Sequence, residues 1–270
     1  MPHLLRTLTL TLLCAFTTCG AAAKTIYLTF DDGPNKATDG VLDILAGKVK
    51  LVEGADGKVT LVPPKENEVK PPEIAATFFV TAREGNSQQK SFKRIREAKH
   101  GIGNHCFDHK LGDDAPNKAN YETFYGKTEF SSPEKKAAFK LNYSKNTKHF
   151  GDLIGDTSFA FAIARLPGDG RFVKYLVDET NTLGMKHFGW DVEFAPNGTF
   201  PNREKPEKND FKRDWKGLPV AATIGKDSLP ADGNILLFHE HHWDGDKLTA
   251  FAQVIKILRE NGYIFGKLSP

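Results

Sequence analysis

Seven short apolar runs of strand character recur along the chain, and helical patterns separate several of them. That alternation restricts the fold to helices packed around a parallel sheet. The first run is the most regular, with Ile26, Leu28 and Phe30 alternating with Thr25, Tyr27 and Thr29 at a period of two. The others are Ile74–Val80, Gly101–His105, Phe159–Leu166, Met185–Val192, Ile235–His239 and Tyr263–Lys267. The clearest helix spans Asp246–Asn261, where Leu248, Phe251, Ala252, Ile255 and Leu258 share one face and Asn261-Gly262 supplies the stop. Ser132-Pro133 marks another helix start, a capping hydroxyl ahead of proline at the first helical position. A parallel sheet of this kind is open or closed into a barrel, and seven strands favour an incomplete or distorted α/β barrel.

Not all 270 residues belong to that fold. Arg6 precedes an apolar stretch from Leu8 to Phe16, followed by Gly20, Ala21, Ala22 and Ala23. A short cationic start, a brief apolar run and an Ala-x-Ala end describe a secretory signal peptide over residues 1–23. The run falls short of the roughly 20 residues that a membrane span needs. Removal of residues 1–23 leaves one domain, 24–270, with Cys106 as its single cysteine and hence no internal disulfide. The expected destination is the periplasm or the exterior, and the expected state is a monomer without a membrane span. With 37 basic against 34 acidic residues the net charge is +3, too balanced for a nucleic-acid binder driven by phosphate neutralisation. Two stretches break the rhythm. Lys48–Glu73, rich in proline and carrying Asp56-Gly57 between valine-rich flanks, reads as an inserted hairpin. Ala195–Arg213, with Pro196, Pro201 and Pro206, reads as an inserted surface loop. Both are expected to flank a substrate groove.

Polar clusters stand directly after the strand-like runs: Asp31-Asp32-Gly33-Pro34, His105 with His109, Arg165-Leu166-Pro167-Gly168, Trp190-Asp191, and His239. In parallel α/β barrels the loops at the carboxyl ends of the strands converge, and active sites form there. Adjacent carboxylates at a strand end point in different directions, so one of Asp31 and Asp32 can bind a cation while the other takes a proton. The same four residues also suit a plain turn. His105 and His109 have i,i+4 spacing, which brings two imidazoles together on one helical turn. Imidazoles with a carboxylate suit zinc or a similar divalent ion and leave positions for water and substrate. His239 projects from a buried strand, whereas His241 and His242 read as peripheral. The plain alternatives are a surface ion pair for Arg165 and a barrel-core role for Trp190.

Taken together these residues resemble the polysaccharide deacetylase family, the fourth family of carbohydrate esterases. Thr29-Phe30-Asp31-Asp32-Gly33-Pro34 is similar to its first motif, and His105-Cys106-Phe107-Asp108-His109 to the second, with Cys106 where serine or threonine is usual. Arg165-Leu166-Pro167-Gly168 resembles the third and Leu237-Phe238-His239 the fifth. Trp190, Asp191 and Glu193 fit half of the fourth, and Asp214-Trp215 supplies the rest if Ala195–Arg213 is inserted. The resemblance implies a distorted (β/α)7 barrel, akin to a shortened TIM barrel, and metal-dependent removal of N-acetyl groups from N-acetylglucosamine-containing glycans. It implies a metal, zinc first and cobalt or nickel also suitable, on Asp32, His105 and His109. Asp31 becomes the general base, held by Arg165, and His239 the general acid, with Asp214 favoured over Asp191 as its partner. Gly168, Trp190, Trp215 and Leu237 become substrate contacts. The competing readings are an O-acetyl esterase on xylan-like glycans and a catalytically silent glycan-binding protein.

Overall fold

The computed structural model describes residues 23–70, 72–109, 118–194, 230–245 and 247–270. Strand β1 (Lys24–Gly33) leads through helix α1 (Thr38–Leu45) to an antiparallel hairpin, β2 (Lys50–Glu53) and β3 (Val59–Val62). The alternation then runs β4 (Thr77–Val80), α2 (Gln89–Glu97), β5 (Gly101–Asn104), α3 (Lys118–Tyr125), α4 (Pro133–Ile154), β6 (Ile163–Ala164), α5 (Lys174–Thr182) and β7 (Lys186–His187). It ends with β8 (Val192–Glu193), β9 (Ile235–His239), α6 (Lys247–Glu260) and β10 (Tyr263–Gly266). The main sheet runs β7-β6-β5-β4-β1-β9-β8 with β10 also on β1, and every pairing in it is parallel. The two edge strands, β7 and β8, are consecutive in the chain and joined by residues 188–191. The sheet is therefore curled into the distorted α/β barrel that the strand count favours.

That curl explains one departure from expectation. The run Met185–Val192 is not one strand but two short ones, because its first part pairs with β6 and its last with β9. Between them the chain crosses the seam, fixed by Phe188 N–H donating to Ala164 O and by Asp191, whose Oδ2 accepts from Ile235 N–H at 2.7 Å.

The strands present two faces. Phe30, Phe78 and Phe238 are register partners on adjacent strands, and their rings meet at 4.9 and 5.5 Å before packing on Phe251 of α6. This outward face builds the main core against the helices. Alternation sends the intervening residues, Thr29, Asp31, Phe79, Leu237 and His239, to the barrel interior. Helix α4 starts as expected, Ser132 Oγ accepting from Lys135 N–H at 3.3 Å, and stops at Gly155 with φ of 68°.

The hairpin in Lys48–Glu73 forms, but it does not flank a groove at the strand ends. It lies between the C-terminus of α1 and the start of β4, at the opposite end of the barrel, with Leu51 and Leu61 on the core and Arg259 of α6 donating to Pro72 O. Ala195–Arg213 and residues 1–22 lie outside the described residues. No helix among the described residues is long and apolar enough to cross a membrane. Phe30 is fully buried at the centre of the outward face. Phe30→Ala is therefore expected to cost about 3–5 kcal/mol, read as a lowered midpoint of urea unfolding at constant slope.

Candidate active site

Arg165, one residue past β6, points into the barrel and is fully buried. Its Nη1 donates to Thr29 Oγ1 and to Asp31 Oδ1, each at 2.8 Å. Nε donates to Phe188 O at 3.1 Å and Nη2 to Gly189 O at 2.7 Å. The guanidinium lies 4.1 Å from the Phe79 ring centroid. It is thus an interior residue and not a surface ion-pair partner. Burial raises the Asp31 carboxyl to about 7, and the attraction of Arg165 offsets only part of that. Arg165 orients Asp31 more than it keeps it ionised.

Asp32 follows on the same strand end with φ of 71°, in the left-handed region that turns its side chain away from that of Asp31. It meets His105 and His109, whose ligand atoms and one Asp32 oxygen all lie within 4.8 Å of one another. His109 Nε2 is 3.1 Å and His105 Nε2 3.6 Å from Asp32 Oδ1, a buried oxygen with no hydrogen-bond partner. His105 Nδ1 faces Arg165 O at 2.9 Å, so that nitrogen donates and Nε2 presents a lone pair to the cluster. Burial lowers both imidazoles to about 4, leaving them neutral, while the neighbouring histidines outweigh burial and hold Asp32 at about 2. An ionised carboxylate and two neutral imidazoles are the donors a divalent transition metal takes. These three residues form a potential metal site.

The two histidines do not share a helical turn. Residues 105–109 form a loop after β5, with Cys106 and His109 at φ of 62° and 60°, and the rings still meet at 5.1 Å. Helix α4 imposes this shape. Asn142 Oδ1 accepts from Phe107 N–H at 2.7 Å and its Nδ2 donates to Asp108. Asn146 Nδ2 donates to Val80 O and to Asn104 Oδ1, which also accepts from Cys106 N–H. Sequence reasoning gives no sign of these asparagines, since their partners lie more than thirty residues away.

His239 is the register partner of Asp31 across β1 and β9. Its Nδ1 is buried without a partner, and burial lowers the ring to about 3. The rings of His241 and His242 lie 5.7 and 5.2 Å from it, so the pair read as peripheral crowds the same corner. Leu237 is buried one level deeper in the barrel. Gly168, at φ of 50°, opens a 3₁₀ turn, Gly168–Phe172, behind which Tyr121 OH donates to Pro167 O and Leu166 N–H to His187 Nε2. Trp190 is half-buried with the Arg171 guanidinium 3.8 Å from its ring centroid. Asp191 Oδ2 accepts from the Ile235 amide at the seam at 2.7 Å. Asp214 and Trp215 lie outside the described residues. Arg83, which the sequence reading passed over, stands at the rim with Nη1 3.9 Å from Asp32 Oδ2.

Fold and site together describe an α/β barrel with a potential metal site at the carboxyl ends of its strands, and comparison with known proteins shows what it is similar to. Residues 56–186 match the family profile described as Polysaccharide deacetylase. The peptidoglycan-N-acetylmuramic acid deacetylase PdaA of Bacillus subtilis is 26% identical over 243 residues, which cover 90% of this chain and 69% of that protein. A family 4 carbohydrate esterase from Bacillus anthracis superposes with a TM-score of 0.52 at 23% identity, over 91% of this chain and 80% of that one. The catalytic domain of a peptidoglycan N-acetylglucosamine deacetylase from Eubacterium rectale gives 0.55 at 21% identity, over 92% and 89%. The chain thus carries the polysaccharide deacetylase profile over residues 56–186 and shares the fold of the family 4 carbohydrate esterases.

Removing one partner of a buried ion pair strands the other charge. Arg165→Met is expected to cost about 3–5 kcal/mol in urea unfolding, and Asp31→Asn in the same chain is expected to recover part of it. Strictly additive losses would show that the pair is not coupled.

Proposed function

We propose that the chain is a metal-dependent deacetylase that removes N-acetyl groups from N-acetylglucosamine-containing glycans, among them chitin oligomers, peptidoglycan and exopolysaccharide. The observation that carries this reading is the meeting of Asp31, Asp32, His105, His109, Arg165 and His239 at one end of the barrel. Substrate class is supported by the similarity to a peptidoglycan-N-acetylmuramic acid deacetylase. That relative also supports action outside the cytoplasm, with residues 1–23 as the export signal and 24–270 as the catalytic domain.

Asp32, His105 and His109 would hold the ion, zinc first and cobalt or nickel as alternatives. When bound, the ion supplies polarisation of the acetyl carbonyl and acidification of a water. Asp31 takes the water's proton as general base, aimed by the two-oxygen grip of Arg165 on Thr29 and Asp31. A backbone N–H near Gly168 donates to the oxygen on which charge develops. His239, facing Asp31 across the strand register, would protonate the leaving amine once Asp214, assigned as its partner, offsets the burial that lowers its ring to about 3. Leu237 lines the floor under the acetyl methyl and Trp190 offers a face to the sugar. Asp214 and Trp215 are assigned to complete the His239 side, and Ala195–Arg213 to a surface loop beside it.

Two variants test the division of labour. Asp31→Asn is expected to keep stoichiometric metal and lose at least a hundredfold in acetate release, consistent with the usual contribution of about 10²–10⁴ from a general base. Wild-type acetate release by that variant would sink the base assignment. The His105→Ala/His109→Ala double variant is expected to hold no metal after dialysis against zinc, measured by atomic absorption. Acetate release from N-acetylated against O-acetylated oligosaccharides, with zinc, cobalt or nickel added, separates the deacetylase from an esterase. No release from any of them alongside retained glycan binding would identify a silent binding protein.

A further inference from the structure

Asp32 holds a φ of 71°, a backbone conformation that a residue other than glycine keeps only where its surroundings fix it. The fixing contacts fall on the two residues that follow. Gly33 O accepts from Thr81 N–H at 2.9 Å. Pro34 O accepts from Gln88 Nε2 at 2.9 Å, and the same nitrogen donates to Thr81 O at 2.7 Å. Gln88 is buried immediately before α2, so its amide fastens the β1–α1 loop to the β4–α2 loop. Glu240, which follows β9, comes from another element and is fully buried. Its carboxyl lies against Gly33, with Oε1 1.9 Å and Cδ 2.5 Å from where a Cβ would stand. Thr38 Oγ1 donates to that Oε1 at 3.2 Å and accepts from Asn35 N–H at 2.8 Å, which ties the loop to the start of α1.

A turn free to relax would let Asp32 leave the left-handed region and swing its carboxylate from His105 and His109. The cluster would then keep only two neutral donors for a cation. We propose that Glu240 and Gln88 are positioning residues that fix the Gly33-Pro34 turn between them and so hold Asp32 at the metal. This rests on the reading of Asp32, His105 and His109 as ligands. Glu240 acts by shape: its contact with Gly33 is steric and its bond to Thr38 needs only an acceptor, so an amide of the same outline serves as well. Gln88 acts through its two donated hydrogen bonds.

The test is the zinc Kd of the full chain, read by competition with a chromophoric chelator at a temperature where circular dichroism shows each variant folded. Glu240→Ala and Gln88→Ala are each expected to raise Kd about tenfold, the lower end of what losing a supporting group around a metal costs. Glu240→Gln is expected to stay close to the wild type. Gly33→Ala drives a methyl into the Glu240 carboxyl and is expected to weaken zinc binding, whereas in the Glu240→Ala chain the same methyl fills vacated space. The Gly33→Ala/Glu240→Ala double variant is therefore expected to bind zinc more tightly than either single variant. Variants that lose urea stability yet keep the native zinc Kd overturn the inference, because that is what a merely structural role produces. Strictly additive losses in the double variant overturn the steric part of it. Zinc binding that depends on Glu240 and Gln88, with no acetate released from any glycan, keeps the inference and removes the deacetylase reading. A wild-type chain that takes up no zinc removes the ligand reading and the inference together.

Discussion

A single buried guanidinium holds this barrel in its functional shape. Arg165 is fully buried, and its donors reach two parts of the chain that are distant in sequence: Thr29 and Asp31 on β1, and the adjacent Phe188 and Gly189. Phe188 and Gly189 belong to the short link by which the chain leaves one sheet edge for the other. The side chain that aims Asp31 therefore also fastens the seam. A charge placed so deep is tolerated because every neighbour supplies an acceptor or an aromatic face, with Phe79 stacked at 4.1 Å and Asp31 as counter-charge. Closure of the fold and placement of Asp31 are one set of hydrogen bonds.

The period-two alternation of the strands divides the labour further. Outward residues such as Phe30, Phe78 and Phe238 build an apolar layer under the helices, and inward ones carry Asp31, Arg165 and His239. Polar chemistry thus lies inside a ring of strands while the hydrophobic core surrounds that ring. The same geometry decides where the chain accepts extra residues. The β2–β3 hairpin occupies an αβ connection, at the end of the barrel away from the site, and packs on α6 without approaching Asp31 or His239.

How much of this was legible in the sequence follows from the range of the interactions involved. The strand alternation of Ile26, Leu28 and Phe30, the capped start of α4 and the stop after α6 are local, and each appears where the sequence places it. The meeting of Asp32, His105 and His109 was legible as residue types at strand ends, because strand direction alone brings them to one end. Their conformation was not. A helical turn would serve His105 and His109 equally well by spacing, and the loop they adopt depends on Asn142 and Asn146 of α4, far along the chain. The split of Met185–Val192 and the commitment of Asp191 to the seam depend on sheet curvature, which no local pattern records.

A third carboxyl group beside the site shows how tightly its charges are managed. Glu240 follows His239 and is fully buried, with its Oε1 only 1.9 Å from where a Cβ on Gly33 would stand. A side chain at position 33 would therefore displace the Glu240 carboxyl. Thr38 Oγ1, 3.2 Å away, is the hydroxyl that meets Glu240 Oε1. An ionised carboxylate at this depth would add repulsion to Asp31 and Asp32, and burial instead raises Glu240 to about 8. At neutral pH it is mostly protonated, so it fills space and bonds to Thr38 without adding charge. Three buried carboxyls in one corner then hold three different states: Asp32 ionised among imidazoles, Asp31 poised near neutrality against Arg165, and Glu240 neutral beneath Gly33. Environment separates what the residue types alone would leave equivalent.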